Sequence, residues 1–175
     1  SKQLLHDFKE YFLTKQPNSR NYTLILIGLN TALRINDILH LTWGDVYCTE
    51  HSRFYTHLLI TEKKTEKETR ILINRELQET LLSYRKTQPS IADTDYLFPS
   101  PRKADSPLSR YQAYRIVRKA AEAVGIEDVI RCHSLRKTFG YHAWKMGTPP
   151  ALLMEIYNHS KMPYFVTYSY DIRLS

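Results

Sequence analysis

Residues 132–142 read CHSLRKTFGYH and place His133, Arg136, Lys137, Thr138, Tyr141 and His142 on what reads as one short helix. His133 and Arg136 are three apart, so a helix puts both on one face. Cations and hydroxyls crowded in this way suit a ligand with several negative charges. If that ligand is a phosphodiester, attack on phosphorus builds charge on the non-bridging oxygens. A guanidinium answers that charge well, because it donates two parallel hydrogen bonds and stays protonated. Arg34, in TALRINDIL, is the second arginine of interest, set where a core normally excludes charge. An ion pair with Asp37, three residues on, is its plainer reading. Lys64 lies in EKKTEKE, at the tip of an expected hairpin. From a tip a lysine can reach a groove and act as general acid toward a leaving oxygen. Lys63 and Lys67 read as part of a solvated turn. His159 follows Asn158 at the end of the next helix, although a single histidine is more often a hydrogen-bonded structural residue.

The nucleophile is an open question at this point. The chain has no Gly-x-Ser-x-Gly, no cysteine beside a plausible base and no acidic cluster suited to magnesium. The histidines and the two cysteines fit no zinc template. Tyr157, Tyr164, Tyr168 and Tyr170 are gathered near the C-terminus. A tyrosine, with a reference pKa near ~10, needs a cationic site or a base to attack. Two arginines, a lysine and two histidines would supply both, and nothing then requires a metal or other cofactor.

Helices must carry most of these groups. Leu4, Leu5, Phe8, Tyr11 and Phe12 recur at helical spacing in residues 2–14. YTLILIGLNTAL reads as a buried helix, and RINDILHLTW as a second short one after Arg34; GDV reads as a turn into a strand. FYTHLLI and TRILI are β-rich runs on either side of TEKKTEKE, which predicts a hairpin with a charged tip. Asn74 caps a helix with Glu76 in its first turn, and Ser109 caps another that ends at Gly125. Tyr111, Tyr114, Val117, Ala121 and Val124 read as the apolar stripe of that helix. GTPP stops the helix of the opening motif, and ALLMEIYNHS forms one more. The expected fold is α+β and mostly helical, with a small antiparallel sheet near residues 45–74.

The chain has 175 residues, 42% hydrophobic and 25% charged. A chain of this size can bury roughly 70% of its unfolded surface. No apolar run approaches the roughly 20 residues that span a bilayer, and no secretory signal opens the sequence. Two cysteines make no disulfide framework and point to a cytoplasmic setting. The net charge of +7 makes nucleic acid a leading candidate partner.

The motifs together resemble the tyrosine recombinase (phage integrase) family. TALRINDILHLTWGDV resembles its first signature block and HSLRKTFGYH its second, His-x-x-Arg. YNHS, with a tyrosine nine residues after His159, resembles the third, and EKKT between two strands resembles the hairpin lysine. The resemblance implies that Arg34 and Arg136 hold the scissile phosphate, that His133 assists proton transfer, and that Lys64 protonates the leaving 5′-hydroxyl. His159 would hydrogen-bond a non-bridging oxygen, and Asp37 would brace an arginine. A tyrosine would attack and form a 3′-phosphotyrosyl link, which conserves the bond energy so that rejoining needs no ATP. Counting from His159 selects Tyr168. VTYSYDI also resembles relatives reading Val-Thr-x-x-Tyr-x-x-Ile, which selects Tyr170 instead. The third block departs from the family's usual Leu-Gly-His by reading Tyr157-Asn158-His159.

The resemblance makes residues 1–175 a catalytic domain and implies core-binding and arm-binding domains that this chain lacks. A longer parent protein would work as a tetramer on double-stranded attachment sites, and the present chain would be a monomer. Lys103, Arg110, Arg115, Arg118 and Lys119, on or near one helix, are candidates for phosphate contact, which positions a protein without reading sequence. Three other readings compete: a DNA-binding module without chemistry, a type IB topoisomerase, and a basic helical domain for RNA or acidic protein. The last leaves the ordered set of Arg34, Lys64, His133, Arg136, His159 and Tyr168 unexplained.

Overall fold

The computed structural model describes residues 2–61, 66–126 and 130–157. Its central element is α2 (Ser19–Asn30), begun by Asn18, whose side-chain oxygen accepts the Asn21 N–H at 3.0 Å. Leu24, Ile25, Leu26 and Ile27 are all buried, so this helix is enclosed on every side. It packs against α1 (Lys2–Glu10), the π-helical turn Tyr11–Lys15 that extends α1, α5 (Arg75–Lys86) and α7 (Cys132–Lys145). Phe8 and Phe12 bury the inner face of the first unit, and Lys9 pairs with Glu76 to tie α1 to α5.

The expected helix through Leu33 stops earlier. Thr31 adopts an extended backbone and turns its hydroxyl back to the Ile27 carbonyl at 2.7 Å, satisfying one of the helix's last acceptors. Residues 31–33 therefore run as irregular chain, and this places the Ala32 carbonyl beside the candidate site. Arg34 then becomes the N-cap of α3 (Ile35–Leu39). GDV is also helical rather than a turn: Trp43–Val46 forms α4, because the Asp45 carboxylate accepts the Thr42 N–H at 2.8 Å and caps it.

The sheet expected near residues 45–74 is present as two separate antiparallel hairpins. β1 (Tyr47–Cys48) pairs with β2 (Arg53–Phe54), and β3 (His57–Thr61) pairs with β4 (Glu68–Leu72). In the second pair Leu58 faces Ile71 and Ile60 faces Thr69, with Leu58 buried. Asn74 caps α5 by accepting the Leu77 N–H at 2.9 Å, as the sequence predicts. A long irregular stretch follows, anchored by Leu97 and Phe98, both fully buried, and by the Tyr84 hydroxyl donating to the Leu97 carbonyl at 2.5 Å.

Ser109 caps α6 (Arg110–Ala123), accepting the Gln112 N–H at 3.1 Å, and Gly125 ends the turn beyond it at φ +79. The expected stripe of α6 needs correction. Ala113, Val117, Ala120 and Ala121 are buried, while Tyr111 is 68% exposed. Small side chains let the helix lie close to its neighbours, which rotates the tyrosine outward. α8 (Pro150–Tyr157) completes the described chain. Among the described residues no helix is long and apolar enough to cross a membrane.

One glycine sets the distance between α2 and α7. A Cβ built on Gly28 would lie 2.5 Å from Leu135 Cδ1 and 3.0 Å from Leu135 Cβ. Leu135 is buried in the core that α2 and α7 share. Overpacking of this kind costs about 1–3 kcal/mol, and alanine returns about 1 kcal/mol of helix propensity. Gly28→Ala is therefore expected to lose about 0–2 kcal/mol on balance, read as a Tm lower by a few degrees in a thermal melt. An unchanged or higher Tm would mean that α7 can shift freely.

Candidate active site

Two segments distant in sequence meet at the C-terminal end of α2. The first is the irregular stretch leading to Arg34. The Arg34 carbonyl accepts the N–H groups of Asp37 and Ile38 at 3.0 and 3.1 Å, which starts α3 and leaves the Arg34 side chain exposed. Among the described residues Arg34 makes no ion pair with Asp37, so the plainer reading of this arginine does not hold.

The second is α7. The Ser134 hydroxyl accepts the Arg131 N–H at 3.1 Å and closes its first turn. Two turns of chemistry follow. His133 is exposed in the first turn, while Arg136 points inward and is only 6% exposed. A buried charge needs partners, and Arg136 has them. Its Nε donates to the Ala32 carbonyl at 2.5 Å and its Nη2 donates to the Tyr157 carbonyl at 3.2 Å. The Tyr157 ring lies under the guanidinium, 4.5 Å from centroid to Cζ. Phe139, Ala143 and Trp144 pack α7 onto a small cluster of Ala32, Leu153 and Tyr157.

Arg34, Asp37 and Arg136 line one cavity of about 360 Å³, together with Thr31, Asn74, Phe139 and the β3–β4 hairpin. His133 is not among its walls. The Asn74 side chain donates to Asn30 at 2.8 Å, joining the base of the hairpin to the end of α2. Arg70, on β4, borders the same space. Lys64, His159, Tyr168 and Tyr170 lie outside the described residues.

Tyr157, Asn30 and Arg70 were missed by sequence reasoning as site residues. Tyr157 was visible only as a departure from Leu-Gly-His and as one tyrosine of several. Its placement removes it from the list of nucleophiles. It is 3% exposed, its hydroxyl donates to the Arg136 carbonyl at 2.5 Å, and burial pushes its pKa up to about 12. Cys132 is equally unsuited to attack, because burial pushes its thiol up to about 11.

Three basic residues of α6 face a different groove. Arg115, Arg118 and Lys119 line a space of about 790 Å³ with Tyr111, Arg20 and the Gln16–Asn21 bend; Lys103 and Arg110 do not border it. Since α2 runs from this groove to the arginine cavity, its twelve residues separate the two by about 18 Å. Arg118 is engaged by Glu122 at 2.5 Å.

The model of the phage integrase family matches residues 2–171. The chain belongs to the phage integrase family. Among relatives, the probable integrase/recombinase YoeC of Bacillus subtilis (strain 168) is 43% identical over 160 residues, which cover 91% of this chain and 81% of that protein. The XerA recombinase structure superposes with a TM-score of 0.75 at 19% identity, over 100% of this chain and 65% of that one. XerH recombinase, in a post-cleavage complex with palindromic difH, gives 0.74 at 21% identity, over 98% of this chain and 49% of that one. The chain thus spans about half to two thirds of these solved recombinases and has the fold of a tyrosine recombinase catalytic domain. For this phage integrase family member, the arginine cavity is where that fold gathers Arg34 and Arg136.

Proposed function

We propose that residues 1–175 are the catalytic domain of a site-specific DNA recombinase that cuts and rejoins strands through a 3′-phosphotyrosyl intermediate. The observation that carries this reading is the cavity in which Arg34 and Arg136 meet, one exposed at its rim and one buried in its wall. Membership of the phage integrase family and the difH complex of XerH support DNA as the substrate. The two guanidiniums hold the scissile phosphate and take up the charge that grows on its non-bridging oxygens. The Tyr168 oxygen, with Tyr170 as the alternative, attacks phosphorus. The bond to the 5′-oxygen breaks, and Lys64 gives that oxygen a proton. His133 assists removal of the tyrosine proton, His159 hydrogen-bonds a non-bridging oxygen, and Asp37, on the wall of the same cavity, braces an arginine of the site once the phosphate is bound. Attack of a 5′-hydroxyl on the phosphotyrosine reverses the step, so no ATP is consumed, and the protein's own cations make a metal unnecessary.

The biological setting that follows is integration or excision of a phage or other mobile element in the cytoplasm. On double-stranded attachment sites the recombinase acts as a tetramer, and without DNA the chain is a monomer. A nicked suicide substrate tests the chemistry, since the cleaved strand cannot be rejoined and the adduct survives a denaturing gel. A protein that binds the site but never forms an adduct would be a binding module.

Binding has its own signature. If Lys103, Arg110, Arg115, Arg118 and Lys119 each meet a phosphate, log affinity falls against log salt with a slope of about −4.5, from about −0.9 per contact. Arg115→Ala is expected to reduce the slope more than Arg118→Ala, because Glu122 already engages Arg118. A slope near zero in a fluorescence anisotropy titration would remove DNA as the partner.

A further inference from the structure

We propose that Tyr157 is a positioning residue that aims the Arg136 guanidinium at the scissile phosphate. The inference rests on the recombinase reading above and adds a residue to it. An arginine can answer a developing charge only if its planar fork is held in the productive orientation, and a long side chain does not hold itself. The Ala32 carbonyl fixes one edge through Nε at 2.5 Å. Tyr157 supplies three further restraints from a single residue. Its carbonyl takes Nη2 at 3.2 Å, its ring lies under the guanidinium with the centroid 4.5 Å from Cζ, and its hydroxyl donates to the Arg136 carbonyl at 2.5 Å.

The arrangement is reciprocal. The side chain of Tyr157 grips Arg136 at both its head and its backbone, and the Arg136 head grips the backbone of Tyr157. A leucine at this position, as in the family's usual third block, would fill space but offer neither a π face for the cation nor a hydroxyl for the carbonyl. Tyr157 is also the last residue of α8, two positions before His159 in sequence. The same contacts therefore tie the orientation of Arg136 to the point from which the chain continues toward His159 and Tyr168.

The test uses the protein with Tyr157→Phe, Tyr157→Leu and Arg136→Ala. Single-turnover cleavage is measured on two suicide substrates, one with the natural phosphate and one with a neutral methylphosphonate at the cleavage position. The methyl group replaces one charged oxygen, so the reaction depends less on a well-aimed guanidinium. On the natural phosphate, Tyr157→Leu is expected to lose about 10- to 100-fold in rate and Tyr157→Phe less, with DNA affinity little changed. On the methylphosphonate, the gap between wild type and each variant is expected to narrow, and the same narrowing is expected for Arg136→Ala.

A loss of equal size on both substrates would make Tyr157 merely structural and overturn the proposal. Wild-type rates in both tyrosine variants would overturn it too, while leaving the recombinase reading intact. If Tyr157→Leu fails to fold, the Tyr157→Phe ratio decides between the same outcomes. A wild-type protein that forms no adduct on the natural phosphate would remove the recombinase reading and this proposal with it.

Discussion

Arg136→Ala is expected to slow covalent cleavage by about 10²- to 10³-fold, while affinity for the site changes far less. The reason lies in where the charge is needed. Loss of one preorganised donor facing a developing oxyanion costs rate by about that factor, whereas a single phosphate contact contributes only about one unit of salt slope to binding. Arg136 is 6% exposed and already gives Nε and Nη2 to carbonyls, so it is held in place before any ligand arrives. Arg136→Lys is expected to rescue little. A single ammonium on a flexible stem cannot satisfy the Ala32 and Tyr157 carbonyls and also present a planar fork to phosphate. Arg136→Ala also leaves the Ala32 and Tyr157 carbonyls short of this donor, at about 1–3 kcal/mol each. The assay therefore belongs well below the Tm of each variant, established by a thermal melt. Cleavage by Arg136→Ala at near wild-type rate would mean that the arginine is only a structural strut between residues 31–33 and α8.

What was readable in the sequence was local. Asn74 and Ser109 announce their helices because a cap needs nothing beyond its own first turn. Gly125 ends α6 because a positive φ is open to glycine. The arginines of the site were readable by type, since a guanidinium in an apolar context asks for a reason. The partners that hold Arg136 were not readable. One of them is a backbone carbonyl 104 residues away, at Ala32, and carbonyls carry no sequence label. Its availability depends on α2 ending at Asn30, and Thr31 does not advertise that end as strongly as a glycine or proline would. The misread stripe of α6 has a similar origin. Val117 and Ala121 are buried as expected, but counting large side chains favoured Tyr111, where close packing selected Ala113 and Ala120. The same rotation turned Tyr111, Arg115, Arg118 and Lys119 onto a groove of their own, where the sequence shows only a basic helix.

Tyr168→Phe is expected to abolish the covalent protein–DNA adduct altogether, whereas Tyr170→Phe retains it. Removing the attacking oxygen leaves no atom to bond phosphorus, so the effect is loss of the product rather than a slower rate. The choice between the two tyrosines follows from the nine-residue interval after His159, and both lie in the same short segment, YSY. The suicide substrate separates them: an adduct lost only in Tyr170→Phe would keep the mechanism and move the nucleophile by two residues. Tyr157 provides the internal control. With its hydroxyl donated to the Arg136 carbonyl and its pKa pushed up to about 12, it has no access to phosphorus and no tendency to ionise at neutral pH. Tyr157→Phe should therefore still form the adduct, more slowly, while Tyr168→Phe forms none. A nucleophile is told from a positioning residue by that contrast, because only the nucleophile sets the yield after unlimited time. An adduct that survives in both Tyr168→Phe and Tyr170→Phe would mean that a different side chain attacks, and the assignment of the third motif would have to be abandoned.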